Sequence, residues 1–370
     1  MTEWQTHSRK RERLDHIDAL RGIAVAAVFA QHVAEQILQS KPAAPWVTAS
    51  LHGLLLQGTN LGRYGVIVFF LISGFVVPFA FRGAHPVRSF VVSRMFRLYP
   101  AYWLAILGSV VVACAAGHAF PLRQVLANLT MLQRLFGVAN IRVAFWTLFI
   151  EVIFYCLVML LYTLGQLRRV AILGTLAFGC ILLAVIPACL RYVLGWPIPS
   201  PDDPIFIAYM LTGSVLRMAV DGDVAAPRWA GLLVLLLLAA APILGGAIFP
   251  VSSNGNPFLT PLALTTAYPL ALLTFVVAIW LQRPRCTALN RLGLISYSVY
   301  LGHGLVIFTL GSLIPPGVDL VSELRFLIGT VAFTLPLAVL SYRYIERPCI
   351  AFSRRITADT VPARAAEVAP

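Results

Sequence analysis

The sequence predicts an all-α polytopic membrane protein that crosses the bilayer about ten times. Of its 370 residues, 59% are hydrophobic and only 12% are charged, and the mean hydropathy is +0.84. A soluble domain carries about 25% charged residues, so this composition is typical of a membrane protein. No long polar block interrupts the apolar segments. We therefore expect one membrane domain at 16–349, between a cytoplasmic tail at 1–15 and a disordered cytoplasmic tail at 350–370.

Apolar segments of membrane-spanning length recur ten times along the chain. A helix that crosses the hydrocarbon core needs about 20 predominantly apolar residues. The predicted spans are 17–39, 62–82, 98–117, 144–164, 169–190, 204–220, 229–249, 260–281, 293–313 and 325–345. In this assignment Pro100 begins the third helix and Pro348 ends the last one.

The distribution of basic residues predicts the orientation of the spans. With the N-terminus in the cytoplasm, only seven of the 28 Lys and Arg fall on the outer side: Lys41, Arg63, Arg123, Arg134, Arg142, Arg191 and Arg325. Cytoplasmic flanks of membrane helices are enriched in Lys and Arg, so both termini are expected in the cytoplasm. The same rule accounts for the net charge of +13, and we expect no nucleic-acid binding because no basic patch is interleaved with exposed aromatics.

The cysteines and the N-terminal segment predict neither a metal site nor a signal peptide. The six cysteines are Cys114, Cys156, Cys180, Cys189, Cys286 and Cys349. None has CxxC or metal-ligand spacing, which favours buried free thiols. The first apolar segment is too long, and too polar at intervals, for a cleavable signal.

The first predicted span carries four ionisable residues within HIDALRGIAVAAVFAQHVAE: Asp18, Arg21, His32 and Glu35. A charged group in a membrane helix costs roughly 2.5–3.5 kcal/mol on insertion scales, so such groups usually have a partner or a function. Arg21 and His32 are eleven residues apart, close to three helical turns, and therefore share one face about 16 Å apart.

Each of these four residues has a structural and a functional interpretation. Asp18 is three residues from Arg21, so the two can form an ion pair that anchors the helix. Arg21 could bind a phosphate or extend to the membrane surface. Glu35 follows His32 by three residues, and a carboxylate that orients an imidazole is the arrangement of a general base. The alternative is a histidine that is merely hydrogen-bonded to its neighbour.

Two arginines precede the third predicted span in SRMFRLYP. Arg94 and Arg97 are one turn apart, and such a pair suits a pyrophosphate or a 3′-phosphate. The enrichment of basic residues at the cytoplasmic surface could also explain them. Glu346, at the end of the tenth span, could form an ion pair with either arginine, as a structural pair or beside a ligand.

Further polar residues interrupt the other spans. Glu151 in the fourth span has no basic neighbour in sequence, which predicts a polar interior position. Ser73 could be a nucleophile, but it lacks the GxSxG pattern, and close helix packing through Gly74 is favoured. His303 in the ninth span lies at a depth similar to that of His32.

Depth sorts the candidates into two predicted layers. The cytoplasmic layer, which suits a phosphate-bearing donor, contains Arg21, Arg94, Arg97 and Glu346. The layer from the midplane outward, which suits acid–base chemistry on an uncharged group, contains His32, Glu35, Glu151 and His303.

Six segments, taken together, resemble the acyltransferase-3 family of bacterial integral-membrane acyltransferases. They are Arg21-x10-His32 within IDALRGIAV and its continuation, FFLISGF (69–75), SRMFRLYP (93–100), FWTLFIEVIFY (145–155), ISYSVYLGH (295–303) and IERP (345–348). The resemblance implies roughly ten helices, an acyl-CoA donor used from the cytoplasmic side, and O-acylation of a carbohydrate or similar acceptor.

Residue by residue, the resemblance implies that Arg21 and His32 are the essential pair and that Arg94 and Arg97 handle the donor. Glu151 and Glu346 occupy the acidic positions of the family. Many relatives carry an extracytoplasmic hydrolase-like domain after the last helix. This chain ends 22 residues past Pro348, so we expect no appended SGNH-type domain.

The leading hypothesis is transfer of an acyl group, with acetyl expected, from acyl-CoA to a carbohydrate hydroxyl at the bacterial cytoplasmic (inner) membrane. His32, oriented by Glu35 or Glu151, would act as the general base in a direct transfer. In a variant mechanism the acyl group would be relayed, with His32 or another residue transiently acylated. The alternative is a transporter or flippase of an anionic lipid-linked sugar, with His32 and Glu151 coupling transport to protons. The acceptor, the acyl chain length and the oligomeric state are left open.

Overall fold

The computed structural model describes residues 3–40, 44–194, 202–252, 258–281, 286–317 and 319–358. Within these ranges every regular element is a helix, which confirms the all-α prediction. The α-helices are α1 (Glu3–Gln39), α2 (Pro45–His52), α3 (Leu61–Val76), α4 (Pro86–Ala115), α5 (Leu122–Leu129), α6 (Trp146–Thr163), α7 (Val170–Leu194), α8 (Asp202–Val220), α9 (Ala226–Ser252), α10 (Pro261–Leu281), α11 (Thr287–Leu294), α12 (Ser296–Leu313), α13 (Leu320–Ser341) and α14 (Arg347–Ala358).

The helices account for about the predicted number of membrane crossings. In the described ranges nine helices are long and apolar enough to span a bilayer. A tenth crossing results if α11 and α12, which are bent by 73° with respect to each other, form one broken span. The protein is therefore a multi-pass membrane protein.

Helices α1 and α3 are antiparallel, which defines two ends of the bundle. The Leu61 N–H at the start of α3 donates to Gln31 Oε1 near the end of α1, and Gly65 packs against Ala24. We call the end at which the α1 span begins, at His16, the proximal end. The opposite end, where α3 begins, is the distal end.

Two predicted helix boundaries are wrong. Helix α4 begins at Pro86, so Pro100 lies inside it and Arg94 and Arg97 are already helical. A proline inside a membrane helix is tolerated where neighbouring groups satisfy the freed backbone. Pro348 does not end a helix but lies in the first turn of α14, where a missing N–H costs little.

The segment predicted as a disordered tail is partly helical. A π-helical turn at Tyr342–Glu346 connects α13 to α14. Residues 350–358 therefore continue as helix, while 359–370 lie outside the described residues. The N-terminal segment from Glu3 is likewise continuous with α1.

Reciprocal glycines hold α11 against the proximal part of α1. A Cβ atom at Gly22 would overlap the carbonyl oxygen of Leu289, and one at Gly293 would overlap that of Asp18. Small residues allow such backbone contact between membrane helices. This contact fixes the position of the turn of α1 that carries Asp18 and Arg21.

The packing role predicted for Gly74 is confirmed. A Cβ atom at this position in α3 would overlap the carbonyl oxygen of Met210 in α8. In addition, Ser214 Oγ donates a hydrogen bond to the Gly74 carbonyl at 3.0 Å. The α3–α8 contact thereby fixes the rotation of α3, which also carries Ser73.

Candidate active site

Five helices, α1, α3, α4, α6 and α12, enclose a cavity of about 100 Å³. Residues far apart in sequence meet here because the helices cross at this level. The charged and polar lining residues are Arg21, Ser73, Arg97, Thr147, Glu151, Ser296, Tyr297 and Tyr300.

Arg21 and Arg97 bring two guanidinium groups to the lining of the cavity. Arg21 Nη1 donates to Asp18 Oδ1 at 3.0 Å, which confirms the predicted contact. Arg97 makes no hydrogen bond or ion pair within 4.0 Å with the residues that the structure describes. The carboxylates of Asp18 and Glu151 balance the formal charge of the two arginines, so the feature that favours an anionic ligand is the Arg97 guanidinium, which has N–H donors to spare at the cavity.

Arg94 lies beside the cavity rather than in its lining. Its guanidinium carbon lies 5.4 Å from the ring centroids of both Phe90 and Tyr155. Its Nε atom is buried and has no hydrogen-bond partner in the described part of the chain. Tyr155 in turn donates a short hydrogen bond to Glu151, which lines the cavity. Arg94 is therefore connected to the cavity through Tyr155.

Glu151 lines the same cavity as Arg21 and Arg97, whereas its predicted depth grouped it with the histidines. Its carboxylate accepts from Tyr155, one turn along α6, and from Ser73 Oγ at 3.5 Å. These bonds hold the carboxylate in the lining of the cavity, which Arg21 and Arg97 also line. Ser73, the nucleophile candidate, contacts this carboxylate and not an imidazole.

Glu346 does not form the predicted ion pair with Arg94 or Arg97. It is only 4% exposed, and its Oε2 accepts from Ser298 Oγ at 3.0 Å. The π-helical turn directs the side chain towards α12. Arg97 and Arg21 remain near enough for their charges to act on this carboxylate.

A directed hydrogen-bond chain orients His32. The Leu61 N–H donates to Gln31 Oε1 at 2.9 Å, so the Gln31 amide nitrogen is free to donate to Glu35 Oε1, at 2.8 Å. Glu35 Oε2 lies 2.9 Å from His32 Nδ1. An ionised carboxylate only accepts, so Nδ1 carries the proton and Nε2 carries the lone pair. The predicted contact between His32 and Glu35 is present.

His303 stacks on His32, with ring centroids 5.3 Å apart and an interplanar angle of 25°. Its Nδ1 lies 2.7 Å from the Tyr300 carbonyl and 3.2 Å from that of Val299. Carbonyl oxygens only accept, so this imidazole too is protonated on Nδ1 and basic at Nε2. Sequence spacing placed the two histidines at similar depths, and the structure brings them into contact.

Tyr300 lines the cavity and also contacts His303. Its hydroxyl oxygen lies 2.9 Å from the Ala144 carbonyl oxygen and 2.8 Å from Thr147 Oγ1, within hydrogen-bond distance of both. Its ring centroid lies 5.8 Å from that of His303. Tyr300 is not among the residues predicted from the sequence, although it lies one turn before His303 in the segment ISYSVYLGH.

A family model described as an acyltransferase domain (Acyl_transf_3) matches residues 14–343. The chain belongs to the acyltransferase-3 family. It is thus an enzyme that transfers acyl groups other than aminoacyl groups.

Two curated proteins illustrate the similarity. The exopolysaccharide production protein ExoZ of Rhizobium meliloti (strain 1021) is 29% identical, over 83% of this chain and 96% of ExoZ. The acyltransferase MdmB of Streptomyces mycarofaciens is also 29% identical, over 80% of this chain and 79% of MdmB. No solved structure matches the chain.

In this acyltransferase the groups available for chemistry fall into two adjoining sets. Arg21 and Arg97 offer hydrogen-bond donors to the cavity, and His32 and His303 offer basic nitrogen atoms near Tyr300. Within the described ranges no group of three or more His, Cys, Asp or Glu side chains is arranged to hold a metal ion.

Proposed function

We propose that this acyltransferase moves an acetyl group from acetyl-CoA to a hydroxyl of an exported carbohydrate at the cytoplasmic membrane of a bacterium. The observation that carries the proposal is the orientation of His32, whose Nδ1 is held by Glu35 and whose ring stacks on His303, next to the cavity-lining Tyr300. The name of ExoZ, a protein of exopolysaccharide production, supports a carbohydrate acceptor. The excess of basic residues at the proximal end supports a cytoplasmic location for that end.

The arginines would bind the phosphates of the donor. Guanidinium groups form paired hydrogen bonds with phosphate oxygens, which suits Arg21, Arg94 and Arg97 to coenzyme A. The cavity of about 100 Å³ is smaller than the roughly 300–1,000 Å³ of a typical small-molecule site. A cavity of this size is too small for the whole of coenzyme A. We therefore expect only the slender pantetheine arm to enter it, with the nucleotide remaining at the proximal end.

His32 would then act as the general base in a direct transfer. Its Nε2 takes the proton of the acceptor hydroxyl while the oxygen attacks the thioester carbonyl. The new C–O bond forms, the C–S bond breaks, and the departing thiolate receives the proton from His32. Glu35 stabilises the imidazolium that forms in between. General-base assistance of this kind contributes about 10²–10⁴-fold.

The test uses purified protein in liposomes with radiolabelled acetyl-CoA and alkali-deacetylated polysaccharide of the host strain. For His32→Ala we expect at least a 100-fold loss of transfer with unchanged acetyl-CoA binding. The matched control is His118→Ala, in an exposed loop. Full transfer by His32→Ala would refute the role of the base, and an acetylated His32 found by mass spectrometry would replace direct transfer by a relay.

The same liposomes address the transporter hypothesis. Membership in an acyltransferase family favours the enzyme. Acetyl-CoA turnover that depends on Arg97 would support our proposal, with Arg97→Gln raising the KM for acetyl-CoA and the exposed Arg168→Gln serving as control. Movement of a lipid-linked sugar without any acetyl-CoA turnover would favour transport instead.

A further inference from the structure

Arg63, near the start of α3, lies against two aromatic rings at the distal end of the site. Its guanidinium carbon is 4.8 Å from the centroid of the Trp146 ring and 5.6 Å from that of Phe206. The two rings are themselves in contact, with centroids 4.9 Å apart. The aromatic faces hold the cation by cation–π attraction and restrict its position.

The hydrogen-bond donors of this guanidinium are not used by the protein. Arg134 is paired with Asp203 at 2.7 Å, and Arg142 donates to Ser109 at 3.2 Å. Arg63, in contrast, makes no side-chain hydrogen bond and no ion pair within 4.0 Å to any residue that the structure describes. Its nitrogen atoms are also absent from the buried unpartnered atoms, so they are accessible to a ligand.

Arg63 and the histidines flank the same residue, Tyr300. Arg63 is close enough for its charge to act on the Tyr300 hydroxyl, and the Tyr300 ring contacts His303. Arg63 also lies two residues after Leu61, whose N–H begins the hydrogen-bond chain that ends at His32. The free cation is therefore on the distal side of the cavity, at the level of the candidate base.

We propose that Arg63, positioned by Trp146 and Phe206, binds an oxyanion carried by the acceptor. This inference rests on the proposed transfer to a carbohydrate. The oxyanion is either the carboxylate of an acidic sugar or a phosphate of a lipid-linked sugar, since a guanidinium pairs with both. Trp146 and Phe206 both contact Phe70 in the cavity lining. Binding at Arg63 therefore holds the acceptor next to the cavity that the donor would enter, near Tyr300.

The test compares acceptors with and without the anion. The probes are deacetylated polysaccharide of the host strain, the same polysaccharide with its carboxylates chemically reduced, and a lipid-linked oligosaccharide extract. For Arg63→Gln we expect a rise of about tenfold or more in the KM for the anionic acceptor, because a hydrogen bond to a charged group is lost. Arg63→Lys should lie in between, and the exposed Arg123→Gln is the control from the same end.

The pattern across acceptors decides the outcome. If the sugar carboxylate is the ligand, carboxyl reduction raises the KM of the wild type and adds nothing to the effect of Arg63→Gln. If the phosphate is the ligand, only the lipid-linked acceptor is sensitive to Arg63→Gln. An equal effect of Arg63→Gln on charged and neutral acceptors, or no effect at all, would overturn the proposal.

A separate readout distinguishes failure of the subsite from failure of the proposed function. Turnover of acetyl-CoA that depends on His32 tests the acyltransferase mechanism without reference to Arg63. If that turnover is present and the acceptor KM is insensitive to Arg63→Gln, only the subsite is wrong. A thermal melt of each variant in detergent checks that Arg63→Gln is folded.

Discussion

Replacement of Glu35 by Gln separates the orienting role of this carboxylate from its size. Glu35 accepts two hydrogen bonds, one from the Gln31 amide and one from His32 Nδ1. The direction of the first bond is fixed because Gln31 Oε1 is occupied by the Leu61 N–H. The glutamine side chain offers an oxygen atom that accepts and an NH2 group that donates, whereas Gln31 and His32 Nδ1 both donate. One of the two hydrogen bonds must therefore be lost, or the His32 tautomer must change.

The expected size of the effect follows from the bond that is lost. A hydrogen bond to a charged group contributes about 1.5–3 kcal/mol. At 1.36 kcal/mol per factor of ten, this corresponds to a decrease of roughly 10- to 150-fold in kcat. The effect should not exceed that of His32→Ala, because Glu35 acts through the imidazole.

The assay measures kcat and both KM values for acetyl transfer in liposomes. We expect Glu35→Gln to lower kcat and leave the KM for acetyl-CoA unchanged. Asp221→Asn, which alters an ion pair with Arg217 outside the site, is the matched control. In a Gln31→Met background the introduced amide can turn its oxygen to His32, so the loss should be smaller. An unchanged kcat for Glu35→Gln would refute the reasoning.

Three further predictions concern packing, the cavity boundary and a helix cap. Gly293→Leu should destabilise the protein by about 1–3 kcal/mol or more in a detergent melt, since the leucine side chain would overlap the Asp18 carbonyl. The control is Gly231→Leu, which should leave the melt unchanged because Gly231 faces open space. Tyr300→Phe loses two hydrogen bonds at the edge of the cavity, so water should reach the thioester more easily. In a free-thiol assay, acetyl-CoA hydrolysis without acceptor should rise relative to transfer, and an unchanged ratio of hydrolysis to transfer would contradict this role of Tyr300. Asp319 caps α13, and hydrogen bonds donated by Ser322 lower the pKa of the Asp319 carboxyl below its usual value. The charged carboxylate therefore stabilises the fold above about pH 4, and this stabilisation is lost as pH falls through the lower folded pKa. Asp319→Ala should therefore lower the melting temperature more at pH 7 than at pH 3, and an equal decrease would contradict the assignment.

Hydropathy and helical spacing were sufficient for the membrane class and for the contacts within α1. The Asp18–Arg21 and His32–Glu35 contacts join residues three apart, and a helix of 3.6 residues per turn brings such residues together whatever surrounds it. The length of each apolar segment likewise determined the spans, because the bilayer sets the length of a helix that crosses it. Helix ends were less predictable, since Pro100 and Pro348 are accommodated by neighbouring structure.

The contacts between helices depended on tertiary structure alone. Sequence spacing gives the depth of a residue in the bilayer but not the rotation of its helix relative to the others. That rotation, fixed by close contacts such as Gly293 against Asp18, brings His303 onto His32 and turns Glu151 towards the arginines. It also places Tyr300 in contact with both the cavity and His303. The sequence by itself thus determined which groups lie in the membrane, and packing decided which of them meet.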